Sequence, residues 1–306
     1  MIKTEQLSKH YGTLAAVDNV TFEVRPGEVL GFLGPNGAGK TTTMRMLAGF
    51  IAPTSGKASI CGHDVVEDAL AAKSCLGYLP EGAPAYGEMS VRGFLEFVAD
   101  LRALGSARHS RLDYVIGRLQ LEAVLEQSIE TLSKGFRRRV GLALAIIHDP
   151  PVLILDEPTD GLDPNQKHEV RTLINEMARD KIIVISTHIL EEVDAVCNRA
   201  IIIARGRIVA DDSPHGLAAQ SRYHNAVSIR LERPEHLAEM RSAIAALPVV
   251  AEVEVSDRES RLTALPRAGA TILPAVSELA ARRGFALKEL HLESGRLDEV
   301  FRTITI

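Results

Sequence analysis

Short apolar runs along the chain alternate with stretches in which apolar residues recur at helical spacing. Residues 152–155, 182–185 and 200–203 are almost entirely aliphatic, which is typical of parallel strands buried on both faces. Residues 15–24 alternate partly between apolar and polar positions and lead into an Arg-Pro-Gly-Glu turn, so we expect an antiparallel strand there. The pattern predicts an α/β protein with a mixed core sheet and an antiparallel β subdomain.

The segment between residues 85 and 135 shows helical periodicity and offers no strand candidate. Ser90 is a suitable N-cap at its start, because a serine hydroxyl can accept a hydrogen bond from the first helical turn. We therefore expect a helical subdomain in this interval. The apolar positions that define its first helix are Val91, Phe94, Leu95, Val98, Leu101 and Leu104.

The pattern changes after residue 220. Strand-like segments at 225–231, 249–255, 261–265 and 286–292 are interrupted by helical patterns at 234–246 and 271–283. The resulting order, βαββαβ, is that of a small ferredoxin-like α+β fold. We predict a first domain at residues 1–220 and an accessory domain at 221–306, in which no catalytic constellation is visible.

Composition narrows the function classes. The 306 residues include 35 basic and 40 acidic side chains, a net charge of −5, so a broad nucleic-acid-binding face is not expected. The three cysteines are widely spaced, which favours a reducing compartment over a disulfide or zinc framework. We find no signal peptide and no apolar run of the ~18 residues that span a bilayer. These features predict a cytoplasmic protein that reaches a membrane only by docking onto another subunit.

Residues 34–41 read G-P-N-G-A-G-K-T and match the phosphate-binding P-loop pattern G-x-x-x-x-G-K-[ST]. A predicted strand at 28–33 precedes the loop and a predicted helix at 42–47 follows it, so backbone N–H groups and the helix N-terminus would face an anion. Lys40 would reach the β- and γ-phosphates, and the Thr41 hydroxyl would bind Mg²⁺. The predicted nucleotide contacts here are Gly34, Pro35, Asn36, Gly37, Ala38, Gly39, Lys40, Thr41 and Thr42.

Two carboxylates follow the buried strand 152–155. Asp156 stands at the end of the strand, where it would hold Mg²⁺. Glu157 comes one residue later, where a carboxylate can act as general base towards an attacking water. Together with the P-loop, this pair predicts hydrolysis of a nucleoside triphosphate.

Three further motifs occur in order: L-S-K-G-F at 132–136, G-L-D at 161–163 and S-T-H ending at His188. With them, residues 1–220 resemble the ATP-binding-cassette (ABC) superfamily of ATPases. The resemblance implies that Ser133 and Gly135 contact the nucleotide of a second subunit and that Asp163 belongs to the loop beside it. It also implies that His188 senses the γ-phosphate.

The resemblance assigns two more residues and leaves one run open. Tyr11 matches the aromatic residue that stacks on adenine, although a buried strand tyrosine is the alternative. Glu81 stands where the family usually has a glutamine, and we expect it to be a Mg²⁺ ligand. The signature departs from the usual L-S-G-G-Q at Lys134 and Phe136. The arginine run 137–139 is expected to be a solvated helix face, with a phosphate or partner contact as the alternative.

Family resemblance also predicts the assembly. It implies a head-to-tail dimer, either a homodimer or a heterodimer with a second ABC subunit, that holds two ATP molecules with Mg²⁺. The L-S-K-G-F-R-R-R-V-G-L-A and G-L-D-P-N-Q stretches, with L-D-E-V-F at 297–301, resemble an exporter-type branch whose membrane permease is a separate chain. The protein would then be an ATPase bound peripherally to the cytoplasmic face of the membrane. The alternatives are a soluble ABC ATPase of translation or DNA maintenance and an ATP-binding regulatory module that barely hydrolyses ATP.

Overall fold

The computed structural model describes residues 1–82, 86–256, 260–267 and 270–305. These residues divide into two compact units, Met1–Ser213 and Pro214–Ile304. The division comes earlier than residue 220, where composition placed it. The reason is a short helix, α8 (Pro214–Ala218), which buries Leu217 and contacts the last helix of the second unit.

The first unit contains strands from three regions of the chain and helices between them. Its helices are α1 (Lys40–Leu47), α2 (Ala69–Ser74), α3 (Val91–Leu101), α4 (Arg108–Arg118), α5 (Lys134–Ile146), α6 (Pro164–Met177) and α7 (Leu190–Val196). Its strands are β1 (Ile2–Tyr11), β2 (Leu14–Val24), β3 (Val29–Leu33), β4 (Ser55–Ile60), β5 (His63–Asp64), β6 (Leu76–Leu79), β7 (Val152–Asp156), β8 (Ile182–Thr187), β9 (Arg199–Ala204) and β10 (Arg207–Asp212).

The central sheet has the strand order β10-β9-β3-β8-β7-β6, in which β10 is antiparallel to β9 and the other neighbours are parallel. The aliphatic runs predicted as buried parallel strands are β7, β8 and β9, and that prediction is confirmed. The register sets Leu33 beside Thr187 and Asp156 beside Ser186. The carboxyl ends of β3, β7 and β8 therefore meet at one edge of the sheet.

A second sheet, ordered β2-β1-β4-β5, is antiparallel throughout. Strand β2 covers the segment predicted to be antiparallel, so this expectation is confirmed. The apolar residues of β1 and β2 share a core with β3 and α1, including Leu7, Val17, Phe32 and Met44. This shared core fixes the antiparallel sheet beside the loop that connects β3 to α1.

The helical subdomain contains α3, α4 and short 3₁₀ turns at Gly105–Ala107, Glu122–Val124 and Ile129–Thr131. Ser90 caps α3 as predicted, because its Oγ accepts a hydrogen bond of 3.1 Å from the backbone N–H of Gly93. Phe94, Leu95 and Val115 are buried in a cluster that includes residues of α5 and α6. The subdomain is thus part of the same folded core as the central sheet.

The second unit contains β11 (Val227–Leu231), a 3₁₀ turn Pro234–His236, α9 (Leu237–Ala245), β12 (Val250–Ser256), β13 (Arg261–Pro266), α10 (Leu273–Arg283), β14 (Leu287–Leu292) and α11 (Leu297–Ile304). Its sheet is antiparallel, in the order β12-β13-β11-β14. The predicted βαββαβ order is confirmed. The sequence patterns did not predict the flanking helices α8 and α11, which contact each other.

Candidate functional site

The loop between β3 and α1 has a backbone that two of its glycines require. Gly39 adopts a φ of +107°, and a Cβ atom there would lie 2.5 Å from the carbonyl oxygen of Ala16. A Cβ atom on Gly34 would lie 2.4 Å from the carbonyl oxygen of Ile203. The loop is therefore held tightly against β2 and β9. Its intervening residues Pro35, Asn36 and Gly37 are more accessible at the tip, whereas Ala38 is buried.

Lys40 begins α1 and reaches back across the loop. Its Nζ donates hydrogen bonds to the carbonyl oxygens of Gly34 at 2.6 Å and Pro35 at 3.2 Å. Burial lowers the pKa of Lys40, while Glu157 and Asp156 oppose this by favouring its charged form. The ammonium thus lies inside the predicted phosphate cradle, next to acidic residues. Its carbonyl contacts are ones that phosphate oxygens could replace.

Asp156 ends β7 and is almost completely buried. Burial raises the pKa of its carboxyl group, and Glu81 and Glu157 raise it further. Among the residues that the structure describes, its Oδ2 atom has no hydrogen-bond partner. A buried carboxylate oxygen without a partner is costly, and a divalent cation is one group that would compensate for it.

The oxygen donors predicted for Mg²⁺ come from three elements. Thr41 stands in the first turn of α1, Asp156 at the end of β7, and Glu81 just after β6, which neighbours β7 in the sheet. Glu81 is exposed, yet it influences the pKa values of both Lys40 and Asp156, so it lies near the P-loop edge. Hydroxyl and carboxylate oxygens are the donors that Mg²⁺ prefers. This donor set fits the cation.

Glu157 and His188 meet at the end of the neighbouring strands β7 and β8. His188 Nδ1 lies 2.7 Å from Glu157 Oε1. The histidine side chain is 60% exposed and the glutamate only 14%, so the pair faces the open side of the site with the carboxylate beneath. Glu157 adopts a left-handed backbone with φ of +53°, a conformation that costs a non-glycine residue energy and is common at functional sites.

A third carboxylate, Glu192 on α7, joins the two segments that carry this pair. It is 2% exposed, and its oxygens accept hydrogen bonds from the hydroxyls of Thr187, at 2.9 Å, and Thr159. Thr187 directly precedes His188, and Thr159 follows Glu157 by two residues. Burial raises the pKa of Glu192, and the hydrogen bond from Thr187 opposes this. Sequence reasoning missed Glu192; its only signal was an acidic residue four positions after His188.

The prediction of a solvated arginine face on α5 is wrong for two of its three members. Arg137 is exposed, but Arg138 and Arg139 are each only 5% exposed. The signal was present in the spacing. Arg138 precedes the buried Leu142 by four residues, and Arg139 precedes the buried Ala143 by four, so both continue the buried stripe of α5.

Arg138 connects the elements that end at the site. Its guanidinium donates to the carbonyl oxygen of Pro80 at 2.8 Å and to those of Asp156 and Glu157. Burial lowers the pKa of Arg138, and the neighbouring acidic groups, Asp156 first, oppose this. The arginine therefore fixes the segment before Glu81 to the segment that carries the two carboxylates.

The signature residues lie at helix starts. Ser133 caps α5 by accepting a hydrogen bond of 3.3 Å from Phe136 N, and it is exposed. A Cβ atom on Gly135 would lie 3.3 Å from the carbonyl oxygen of Gly161. Asp163 caps α6 through a hydrogen bond of 2.9 Å from the backbone N–H three residues later. In the described part of the chain, no hydrogen bond or ion pair joins these residues to the P-loop.

Tyr11 ends β1 opposite Leu14 and is half exposed, so the buried-strand alternative does not hold. The ammonium of Lys9 lies 5.3 Å from the centre of its ring. An exposed ring of this kind can stack on a planar base. No contact between Tyr11 and the P-loop is observed among the described residues.

This fold and this edge of the sheet define a P-loop nucleotide-binding protein. The family model described as "ABC transporter" matches residues 17–160. The chain is 37% identical over 220 residues to the Nod factor export ATP-binding protein I of Paraburkholderia xenovorans (strain LB400), with 71% of this chain and 72% of that protein covered. The chain belongs to the ABC transporter ATP-binding family.

Other similarities agree with this assignment. The chain is 36% identical over 223 residues to the probable multidrug ABC transporter ATP-binding protein YbhF of Escherichia coli (strain K12), covering 72% of this chain and only 38% of that protein. A solved "ATP binding subunit of ABC transporter" superposes with a TM-score of 0.68 at 30% identity, covering 72% of this chain and 92% of that one.

A further solved structure shares the fold. It is titled "Dimeric Structure of MJ0796, a Bacterial ABC Transporter Cassette" and superposes with a TM-score of 0.66 at 23% identity, covering 70% of this chain and 99% of that one. The predicted α/β cassette fold is confirmed. Within the described residues, no helix combines the length and the apolar character needed to cross a bilayer.

Proposed function

We propose that this chain is the ATP-binding and ATP-hydrolysing subunit of an exporter-type ABC transporter. The observation that carries the proposal is the convergence of Lys40, Asp156, Glu157 and His188 at adjacent carboxyl ends of one sheet. A cation, two carboxylates and a histidine are the groups that phosphoryl transfer to water needs.

The residues divide the chemistry of ATP + H₂O → ADP + phosphate. Lys40 and the loop N–H groups neutralise and orient the phosphates. Glu157 accepts the proton of the attacking water, whose oxygen forms the new bond to the γ-phosphorus as the bond to ADP breaks; such a base contributes about 10²–10⁴-fold to the rate. His188 holds Glu157 in place and can donate to the γ-phosphate. Mg²⁺, held by Thr41, Asp156 and Glu81, would supply charge neutralisation to the phosphates.

The functional unit in this proposal is a head-to-tail dimer. Ser133, Gly135 and Asp163 make no hydrogen bond or ion pair with the P-loop of their own chain within the described residues, and Ser133 is exposed at a helix N-terminus that favours anions. A second chain could present this edge to the phosphates of the first. The dimeric title of the structural neighbour supports the same arrangement, with two ATP molecules at the interface, in either a homodimer or a heterodimer.

A groove on the first unit supports docking of a separate membrane permease. The groove encloses about 750 Å³ between α2, α3 and β6, and Lys73 and Arg102 stand among its apolar residues. Phe50, Leu70 and Leu101 are 68%, 86% and 72% exposed there. The groove reaches Pro80, next to Glu81, so an occupant would contact the segment that leads into the nucleotide site. Exposed apolar surface of this kind marks interaction sites.

Export as the direction of transport is supported by the names of the relatives, one of which exports Nod factor and the other of which is a probable multidrug transporter. In this proposal the chain is attached to the cytoplasmic face of the membrane through the permease, and nucleic acid is not a partner. The nearly balanced charge supports the last point.

The test is co-purification from detergent-solubilised membranes of the source organism with tagged full-length chain. We expect wild type to retain a polytopic membrane protein, and Leu101→Asp to lose it while ATP binding remains. Val209→Asp, at an exposed apolar position on β10 outside the groove, is the matched control and should retain the partner. Recovery of wild type with ribosomes or DNA-processing proteins instead would overturn the transport proposal.

A further inference from the structure

The sheet of the second unit buries one face under its helices and leaves the other face without a helical cover. Val227, Ile229 and Leu231 of β11 face the core with α9 and α10. Since side chains alternate along a strand, Ser228 and Arg230 lie on the opposite face, which we call the open face. The register adds Thr263 and Arg261 from β13 and His291 and Glu289 from β14 to this face.

The open face contains a cavity rather than a flat polar surface. Its volume is about 130 Å³, and it is lined by Ser228, Arg230, Arg261, Glu289, His291 and Glu293. This is room for about four waters or one small organic molecule. A second hollow of about 490 Å³ shares Arg261 and Glu293 with it, so the cavity has an accessible approach.

Ser228 at the floor of the cavity has an unmet hydrogen-bonding need. It is only 6% exposed, and its Oγ has no hydrogen-bond partner among the described residues. Leaving a buried hydroxyl without a partner costs about 1–3 kcal/mol. Serine is also an unusual choice at the centre of a sheet that needs only a small residue, because alanine would fit without this cost. A bound polar group is therefore the natural partner for this hydroxyl.

The rim of the cavity carries both signs of charge at distances that leave space between them. Arg230 Nη1 lies 3.6 Å from Glu289 Oε1, and Arg261 Nη2 lies 3.9 Å from Glu289 Oε2. Both distances exceed hydrogen-bond length, so these ion pairs are not closed. Glu293, at 17% exposure, adds a second carboxylate at the other end. The four charged groups balance, which disfavours a simple anion or cation as occupant.

We propose that this cavity binds a small zwitterion that carries one carboxylate and one ammonium group, with the size of a small α-amino acid. Its carboxylate accepts hydrogen bonds from the Arg230 guanidinium and the Ser228 hydroxyl. Its ammonium donates to the carboxylates of Glu289 and Glu293. Charge-assisted bonds of this kind are about twice as strong as neutral ones, and the two ends together select against singly charged molecules. The accessory domain would thus sense a metabolite.

The test uses the full-length chain without nucleotide and isothermal titration calorimetry. Glycine, L-alanine and L-serine are the zwitterionic probes, and acetate and methylamine are the singly charged probes. We expect one or more amino acids to bind and both singly charged probes to bind at least about tenfold more weakly, the equivalent of losing one charged hydrogen bond. No binding of any amino acid, or equal binding of acetate, would overturn the proposal.

Variants connect binding to the cavity. Ser228→Ala and Arg230→Gln should each weaken amino-acid binding by about tenfold. Arg241→Gln, an exposed arginine on α9 beyond the helical face of the sheet, should leave it unchanged. Arg230 lies on the surface rim, so its variant tests the site even where Ser228→Ala alters folding, which thermal unfolding would reveal. Unchanged affinity in Arg230→Gln would place binding elsewhere and contradict the proposal.

Discussion

His188 Nδ1 lies 2.7 Å from Glu157 Oε1, although the two residues belong to different strands and are 31 positions apart. The pairing follows from the parallel register of β7 and β8, which sets Asp156 beside Ser186 and so brings the next residues of both strands together. Histidine and glutamate therefore act as one unit at the mouth of the site, and their substitution should show it.

Glu157→Gln and His188→Ala should each reduce kcat, and the double variant should be little slower than the slower single variant. Residues that act as a unit have strongly non-additive effects, and loss of a general base costs about 10²–10⁴-fold. Steady-state phosphate release measures all three. His109→Ala, at a histidine 91% exposed, is the control. Fully additive losses would show that the pair does not act together.

Lys40→Ala should weaken ATP binding. The substitution removes the buried cation that contacts the loop carbonyls, and loss of a charged hydrogen bond costs about 1.5–3 kcal/mol, or about tenfold or more in affinity. Titration with a fluorescent ATP analogue measures the change. Lys57→Ala, at an exposed lysine on β4, should bind ATP as wild type does. An unchanged affinity in Lys40→Ala would contradict the role assigned to Lys40.

Glu192→Gln should reduce kcat with little change in ATP affinity. The amide keeps one acceptor oxygen and loses the other, so either Thr187 or Thr159 loses its bond and the segments carrying His188 and Glu157 are held less firmly. Burial of an unsatisfied group also costs about 1–3 kcal/mol of stability. Phosphate release and urea unfolding measure the two effects. Glu191→Gln, an exposed neighbour with the same charge change, is the control. Equal behaviour of the two variants would remove Glu192 from the account.

His148 should make the protein less stable in mild acid. Burial, aided by Arg102, lowers its pKa from 6.5 to about 4, and its Nε2 donates to the carbonyl oxygen of Leu76. Because the unfolded chain binds the proton first, this contribution to the free energy of unfolding is complete above about pH 6.5 and is lost as the pH falls towards about 4. Urea unfolding at pH 7 and pH 5 measures the loss. His148→Gln should show a smaller loss than wild type; an identical loss would contradict this role.

Much of the cassette could be predicted because its signals are local. Four-residue aliphatic runs specify buried strands, and the P-loop spacing specifies a backbone that only glycine can adopt at Gly34 and Gly39. Ser90 caps α3 through a bond that spans three residues. In the second unit, the alternating strands and amphipathic helices specified the element order.

Other features depend on contacts between distant segments and could not be read from local patterns. Arg138 is buried because carbonyl groups 18, 19 and 58 residues away accept its hydrogen bonds. Strand β6 contains Gly77 and is only four residues long, so its place at the sheet edge comes from pairing with β7. Glu192 similarly owes its burial to a threonine 33 residues earlier.

The most direct test of the account is the oligomeric state of Glu157→Gln with MgATP, measured by sedimentation velocity. ATP should join two chains through the P-loop of one and Ser133 of the other, and removal of the base should prevent the hydrolysis that separates them. We expect Glu157→Gln to be a dimer with MgATP and a monomer without nucleotide, while Lys40→Ala/Glu157→Gln stays monomeric. A Glu157→Gln chain that remains monomeric at saturating MgATP would contradict the account.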